Sequence, residues 1–153
     1  MRKALFLFVV FGLAGSLWAA DPFIGTWKLN VAKSKAPDPS LLPKSEVFKN
    51  VAQGNLIKTT FDGVDSQGKS FHSEGVGEWD GKDVPVTGDP FTDTTATKRL
   101  DAYTLTVVNK KAGKEVASYH VKLSKDGKTM TAETKFRDEK GKEQSVTFVY
   151  DKQ

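Results

Sequence analysis

Glycine recurs at nearly constant spacing from residue 54 to residue 141, and this spacing admits few folds. Two series have intervals of 13 or 14 residues, namely Gly54, Gly68 and Gly81, then Gly113, Gly127 and Gly141. Each glycine has a polar neighbour, as in tight β-hairpin turns, because glycine adopts a positive φ at no steric cost. The interval leaves about ten residues for each strand, longer than the usual five or six. The spacing therefore predicts an up-and-down meander of long antiparallel strands.

Alternation of apolar and polar residues between these turns predicts about ten strands, and no segment keeps the 3.6-residue period of an amphipathic helix. We expect strands near residues 23–30, 44–52, 55–62, 69–79, 82–86, 92–100, 103–110, 115–124, 128–137 and 143–150. An irregular loop is expected at 85–90, where two prolines interrupt pairing, and three prolines exclude a helical lid from 31–43. Closing the sheet removes its exposed edges. The predicted fold class is therefore all-β, an antiparallel up-and-down barrel of about 8–10 strands.

The first twenty residues have the layout of a secretory signal peptide. A positive start at residues 2–3 is followed by an apolar run and by the small residues Ala19 and Ala20. We predict a signal peptide at 1–20, cleaved after Ala19 or Ala20, and a single domain at 21–153. The apolar run is shorter than the ~20 residues of a membrane-spanning helix. A secreted or periplasmic protein without a stable membrane anchor after cleavage is expected.

Composition excludes several classes of protein. The chain has no cysteine, which excludes a disulfide framework, a thiol nucleophile and a zinc-thiolate site. Removal of two basic residues with the signal peptide lowers the formal net charge from +4 to +2. Because lysine is interleaved with aspartate and glutamate, nucleic acid is not an expected partner. No serine lies in a nucleophile-elbow motif, so we expect neither enzyme activity nor a cofactor.

Two groups of charged residues have simple interpretations. His72, Glu74 and Glu78 share the outward face of one predicted strand, where a solvated surface is expected and no metal site. Arg99 and Arg137 are the only arginines after residue 20. We expect them either to stack on a tryptophan or cap a barrel end, or to lie on the surface.

Alternation also assigns an inner face to most strands, although strands 44–52 and 92–100 show no clear face. Successive turns of a meander lie at opposite ends, so one rim would combine the loops 31–43, 66–69, 85–90, 111–114 and 138–142. Aromatic and polar side chains facing inward are predicted to bind a ligand: Phe61, Phe71, Ser73, Asn109, Tyr119, Thr134, Phe136, Gln144 and Phe148. Residues expected nearer the opposite end are Trp79, Leu105, Leu123, Met130 and Tyr150. The alternative is a filled barrel, since an eight-strand barrel holds little beyond its own side chains.

The segment from Phe23 to Leu29, FIGTWKL, resembles the first strand of the calycins, the superfamily of lipocalins and fatty-acid-binding proteins. Their Gly-x-Trp motif begins a ligand-holding barrel, and here Gly25 would permit close backbone approach while Trp27 closes one end. GTWKLNVAKSK with DGKDVPVTGDP is similar to uncharacterised secreted bacterial lipocalin-like proteins, which implies a fold and no activity. Tyr150-Asp151-Lys152 resembles the end of the fatty-acid-binding proteins, and Phe148 stands where that family has a carboxylate-binding arginine.

The leading hypothesis is a monomeric carrier or sensor of a small apolar or amphipathic molecule, with Asn109, Gln144, Ser73 and Tyr119 as polar anchors. It predicts that alanine at Phe71 or Phe136 changes ligand affinity more than folding. The alternative is an interaction module, such as an inhibitor or an envelope-associated protein. It would bind a protein partner through loops 31–43 and 85–90 on a filled barrel.

Overall fold

A computed structural model of the protein describes residues 21–137 and 140–153. The predicted signal peptide at 1–20 lies outside the described residues, as do two positions of the predicted loop 138–142. Within the described ranges, no helix is long and apolar enough to cross a membrane. The connection 31–43 contains a single 3-10 turn at Pro39–Leu41, which begins where the Asp38 carboxylate accepts a hydrogen bond from Ser40 N–H. The prediction that this connection carries no helical lid is confirmed.

Ten antiparallel strands form a closed up-and-down barrel in the described part of the chain, which confirms the predicted fold class. Each strand pairs with its neighbours in sequence, and the first strand pairs with the last to close the sheet. Their bounds lie close to the predicted intervals: β1 (Gly25–Leu29), β2 (Ser45–Gln53), β3 (Leu56–Val64), β4 (Ser70–Gly77), β5 (Asp80–Thr87), β6 (Thr94–Asp101), β7 (Thr104–Lys111), β8 (Lys114–Leu123), β9 (Thr129–Arg137) and β10 (Glu143–Lys152).

The connections fall into two groups because consecutive hairpins lie at opposite ends of the barrel. We call one end the mouth, formed by residues 30–44, 65–69, 88–93, 112–113 and 140–142. The other is the closed end, formed by residues 21–24, 54–55, 78–79, 102–103 and 124–128. These two groups match the rims expected from the order of the strands.

One predicted turn glycine lies inside a strand. β5 begins at Asp80 and includes Gly81, although the pairing of Gly75 with Val86 centres the reversal near residues 80 and 81. The pairing of β5 with β6 shifts register between Asp80 and Asp83, and Gly81 has a φ of 90°. Gly81 therefore lies at a β-bulge, which, like a hairpin turn, accommodates the positive φ of glycine.

The irregular loop begins three residues later than predicted, because Pro85 lies within β5 opposite Thr94. Val86 N–H donates to the carbonyl of Asp93 on the β6 side. Hydrogen bonding alternates along a strand, so the Pro85 nitrogen points toward β4. The described pairing of β4 with β5 is confined to two positions beyond Pro85, so the missing N–H interrupts no ladder bond. The irregular segment is 88–93.

Large apolar side chains pack together in the closed half of the barrel. The buried cluster contains Phe23, Trp27, Leu29, Phe48, Leu105, Val121, Leu123, Met130 and Tyr150. Four of the five residues predicted to lie near this end belong to the cluster, and the fifth, Trp79, packs against it. The inner phase of β7 to β10 was therefore readable from apolar alternation alone.

Trp27 lies fully buried near the closed end, as the Gly-x-Trp motif implies. Its indole N–H donates to the carbonyl of Phe23 at 3.0 Å, and its ring stacks on Phe48 with centroids 6.2 Å apart. Gly25 has a φ of 132°, and a Cβ there would meet the Lys152 side chain at 3.0 Å. Glycine suits this position chiefly because other residues rarely adopt this φ.

Arg99 caps the closed end, one of the two roles expected for the arginines. Its guanidinium lies 5.1 Å from the ring centroid of Trp79 and 5.3 Å from that of Phe23, within cation–π range. The Asp21 carboxylate forms an ion pair with the same group. The residues just after the predicted cleavage site therefore help to seal the barrel.

Candidate functional site: the barrel interior

The barrel encloses a cavity of about 800 Å³ that extends from the mouth to the packed core. Residues 40–43, 65–70 and 88–92 border it at the mouth, and Phe23, Leu105 and Met130 line its inner limit. Of the two alternatives, a cavity or a filled barrel, the structure has the cavity. A ten-strand barrel is wider than an eight-strand one, and its inward side chains leave space between them.

Aromatic rings form much of the cavity wall. Phe48 on β2 lies 4.9 Å from the ring of Tyr150 and 5.2 Å from that of Phe61, its direct partner on β3. Tyr119 and Phe148 form a second pair with centroids 6.3 Å apart. These rings offer broad apolar surfaces on both sides of the interior, suited to the body of a hydrophobic molecule.

A carboxylate projects into this aromatic surrounding. Glu46 lies on the inward face of β2, two residues before the buried Phe48, and lines the cavity. The Tyr150 hydroxyl donates to its Oε1 at 2.6 Å. Burial raises the pKa of Glu46, and the hydrogen bond from Tyr150 opposes part of that effect. The interior thus contains an acid whose charged form is disfavoured by its surroundings.

Two tyrosines are affected by the same carboxylate. Burial raises the pKa of Tyr150 well above its ordinary value, and the negative charge of Glu46 raises it further. Burial also raises the pKa of Tyr119, with contributions from the charges of Glu46 and Asp89. Both hydroxyls therefore stay protonated at neutral pH and can donate hydrogen bonds inside the cavity.

Amide side chains supply the remaining fixed polar groups. Thr95 donates its hydroxyl to Asn109 Oδ1 at 2.9 Å, across the β6–β7 pair. Asn50 accepts a hydrogen bond from Thr59 at 2.8 Å and donates to the carbonyl of Phe23 at 3.0 Å. These partners hold both amides in place, so they present defined polar surfaces to a ligand.

The structure brings six of the nine predicted ligand-binding residues to the cavity wall: Phe61, Phe71, Ser73, Asn109, Tyr119 and Phe148. The other three, Thr134, Phe136 and Gln144, lie on the part of β9 and β10 nearest the mouth and are not among the described residues that line it. Of the predicted structural residues, Gly25 and Trp27 lie at the closed end, and Tyr150 joins the core to the cavity.

Three further residues that were not predicted also line the cavity: Glu46, Thr95 and Thr97. They belong to the two strands whose faces were unclear. In β2, valines at 47 and 51 mark one phase and Phe48 marks the other, so apolar residues occur on both faces. The largest apolar residue, Phe48, is the signal that would have identified Glu46 as inward-facing.

The charged residues of β4 face outward, as predicted. His72 Nδ1 lies 2.6 Å from an Asp62 carboxylate oxygen, and Glu74 forms a 2.7 Å ion pair with Lys58. Among residues 21–137 and 140–153, no three histidine or acidic side chains are grouped as metal ligands.

A comparison with models of known protein families finds no match to this chain. A comparison with curated proteins finds no match either.

Proposed function

We propose that the protein is a secreted or periplasmic binding protein that holds a small hydrophobic or amphipathic molecule inside a calycin-like barrel. The observation that carries this proposal is the cavity of about 800 Å³, whose inner part is lined mainly by aromatic and aliphatic side chains, with polar side chains among them and at the mouth. Ligand sites have this composition and occupy roughly 300–1,000 Å³. The location outside the cytoplasm rests on the signal peptide predicted at 1–20.

Native mass spectrometry tests the proposal directly. The protein is purified from its own secretory compartment, and its native mass is compared with the mass after denaturation. We expect an added mass that disappears on denaturation and equals the mass of the ligand. No added mass, together with no uptake of the neutral fluorescent probe N-phenyl-1-naphthylamine, would contradict the proposal.

A matched pair of variants tests whether binding occurs in this cavity. Phe71 lines the cavity, whereas Phe136 has the same inward phase and is not among the described lining residues. We expect Phe71→Ala to weaken N-phenyl-1-naphthylamine binding several-fold, because it removes a ring from the wall. Phe136→Ala should bind the probe like the wild type. Equal affinities in all three folded proteins would place the probe elsewhere.

The alternative, an interaction module, has one observation in its favour. Phe91 is 78% exposed at the mouth, directly after the predicted loop 85–90. An exposed ring on a short loop is a common contact in protein interfaces. The cavity favours ligand binding over this alternative, which assumed a filled barrel. A protein with neither bound mass nor probe uptake would reverse that preference.

A further inference from the structure

One ionisable side chain inside the cavity has no cation beside it. Glu46 shares the inward face of β2 with Phe48 and Asn50, and its Oε1 is held by the Tyr150 hydroxyl. In the described part of the chain, Tyr150 is its one hydrogen-bond partner and no basic side chain lies within ion-pair distance. Oε2 is therefore the oxygen that remains available for a ligand.

Basic side chains near the cavity are engaged or lie outside it. Arg99 is inward-facing but is paired with Asp21 at the closed end. His72 points outward to Asp62, and Lys69 is exposed at the mouth. Two acidic residues, Asp65 and Asp89, also border the cavity at its mouth. Glu46 is thus the charged group beside the inner aromatic rings, whereas the basic residues that border the cavity, His72 and Lys69, lie toward its mouth.

The surroundings of Glu46 suit an organic cation. Phe48 lies next to the Glu46–Tyr150 pair, with its ring 4.9 Å from Tyr150 and 5.2 Å from Phe61. Aromatic faces attract ammonium groups through their quadrupoles, and this attraction increases where water is excluded. A carboxylate beside such rings combines a charged acceptor with an apolar surface that tolerates a cation.

We propose that the ligand is an amphipathic cation, with an apolar body in the aromatic cavity and a protonated amine bound to Glu46. The inference rests on the proposed function and narrows its ligand class. The amine donates to Oε2 while Tyr150 fixes the carboxylate through Oε1. A fatty acid of the same length would instead bring a second carboxylate close to Glu46, where like charges repel.

Displacement of N-phenyl-1-naphthylamine measures this preference. Dodecylamine and dodecanoate have matched chains and opposite charges, and each is titrated below its micelle concentration at pH 7.5. We expect dodecylamine to displace the probe from the wild type at a concentration about tenfold or more below that of dodecanoate. A tenfold ratio corresponds to a difference in binding free energy of about 1.4 kcal/mol. The net charge of +2 in residues 21–153 would by itself favour dodecanoate, so it cannot produce this result.

Two variants assign the preference to Glu46. Glu46→Gln keeps the shape and removes the charge, and we expect the two compounds to displace the probe equally. Glu133→Gln makes the same charge change on the outer face of β9, opposite His120. This variant should keep the wild-type ratio between the concentrations of dodecanoate and dodecylamine that displace the probe. The wild-type comparison needs no variant and stands even where Glu46→Gln fails to fold.

Several results would overturn the inference. Equal or stronger displacement by dodecanoate would do so, as would no displacement by either compound. A folded Glu46→Gln variant that kept the preference would show that another group selects the amine. No binding of N-phenyl-1-naphthylamine to the wild type, with no bound mass in the purified protein, would contradict the proposed function itself.

Discussion

Replacement of Trp27 by alanine should destabilise the protein by about 3–5 kcal/mol, the usual cost of removing a buried aromatic ring. The side chain is fully buried between the closed end and Phe48. A tryptophan buries about 150–250 Å², which at about 25 cal/mol per Å² corresponds to about 4–6 kcal/mol. Alanine keeps its methyl group buried, and partial collapse of the cavity recovers some packing, so the net loss falls slightly below that value.

Trp27→Phe separates the ring from its hydrogen bond. Phenylalanine keeps most of the packing against Phe48 but loses the bond to the carbonyl of Phe23. That carbonyl still accepts from Asn50, so no buried acceptor is left without a partner. We expect the free energy of unfolding to fall by about 0.5–1.5 kcal/mol for the lost hydrogen bond, and by a smaller amount for the lost packing.

Urea unfolding followed by far-ultraviolet circular dichroism measures both variants without relying on tryptophan fluorescence. The corresponding fall in melting temperature for Trp27→Ala should be at least about 6 °C, because 1 kcal/mol shifts the midpoint by roughly 2–8 °C in domains of this size range. A Trp27→Ala variant with the wild-type midpoint would refute the role of this ring in sealing the barrel. Equal losses in both variants would assign the effect to the hydrogen bond.

Two further predictions concern the charged groups of the interior. Burial raises the pKa of Glu46, so the folded state holds its proton more tightly than the unfolded chain, and the contribution of Glu46 to stability should fall as pH rises above about 4.3. Glu46→Gln should therefore gain stability relative to the wild type between pH 4 and pH 7 in urea titrations, and a gap independent of pH would contradict this. Arg99→Ala removes contacts with two rings and should cost about 1–2 kcal/mol, whereas Asp21→Asn removes one half-exposed ion pair worth about 0–1 kcal/mol. Equal urea midpoints for these two variants would show that the stacking contributes little.

Turn chemistry and alternation were sufficient to predict the barrel, because both report local geometry. Each hairpin glycine indicates a reversal, and the alternation from Ala117 to Leu123 places Val121 and Leu123 in the core. Gly81 shows the limit of that argument, since a bulge and a hairpin require the same positive φ. Pro85 shows another limit. A proline fits within a strand only where its nitrogen faces an unpaired part of the neighbouring strand, and the sequence does not show which part that is.

The cavity could not be predicted in the same way. Whether inward side chains fill a barrel depends on its radius, and the radius depends on the number and stagger of strands in the whole sheet. A sequence estimate of 8–10 strands spans the range from a filled to an open interior. Glu46 was missed because β2 has apolar residues in both phases, and the pairing of Phe48 with Trp27 and Phe61 shows which phase faces inward.

The contrast between two polar residues of β2 favours a binding role for Glu46. Asn50 and Glu46 lie on the same inward face, four residues apart. Asn50 is buried and links Thr59 to the carbonyl of Phe23, so its polar atoms stabilise the closed end. Glu46 has a single described hydrogen bond, and its ionisation is opposed by burial. An acid in that position destabilises the unliganded barrel at neutral pH, and such perturbed groups in a cavity are typical of functional sites. A cationic ligand would supply the interaction that the carboxylate lacks.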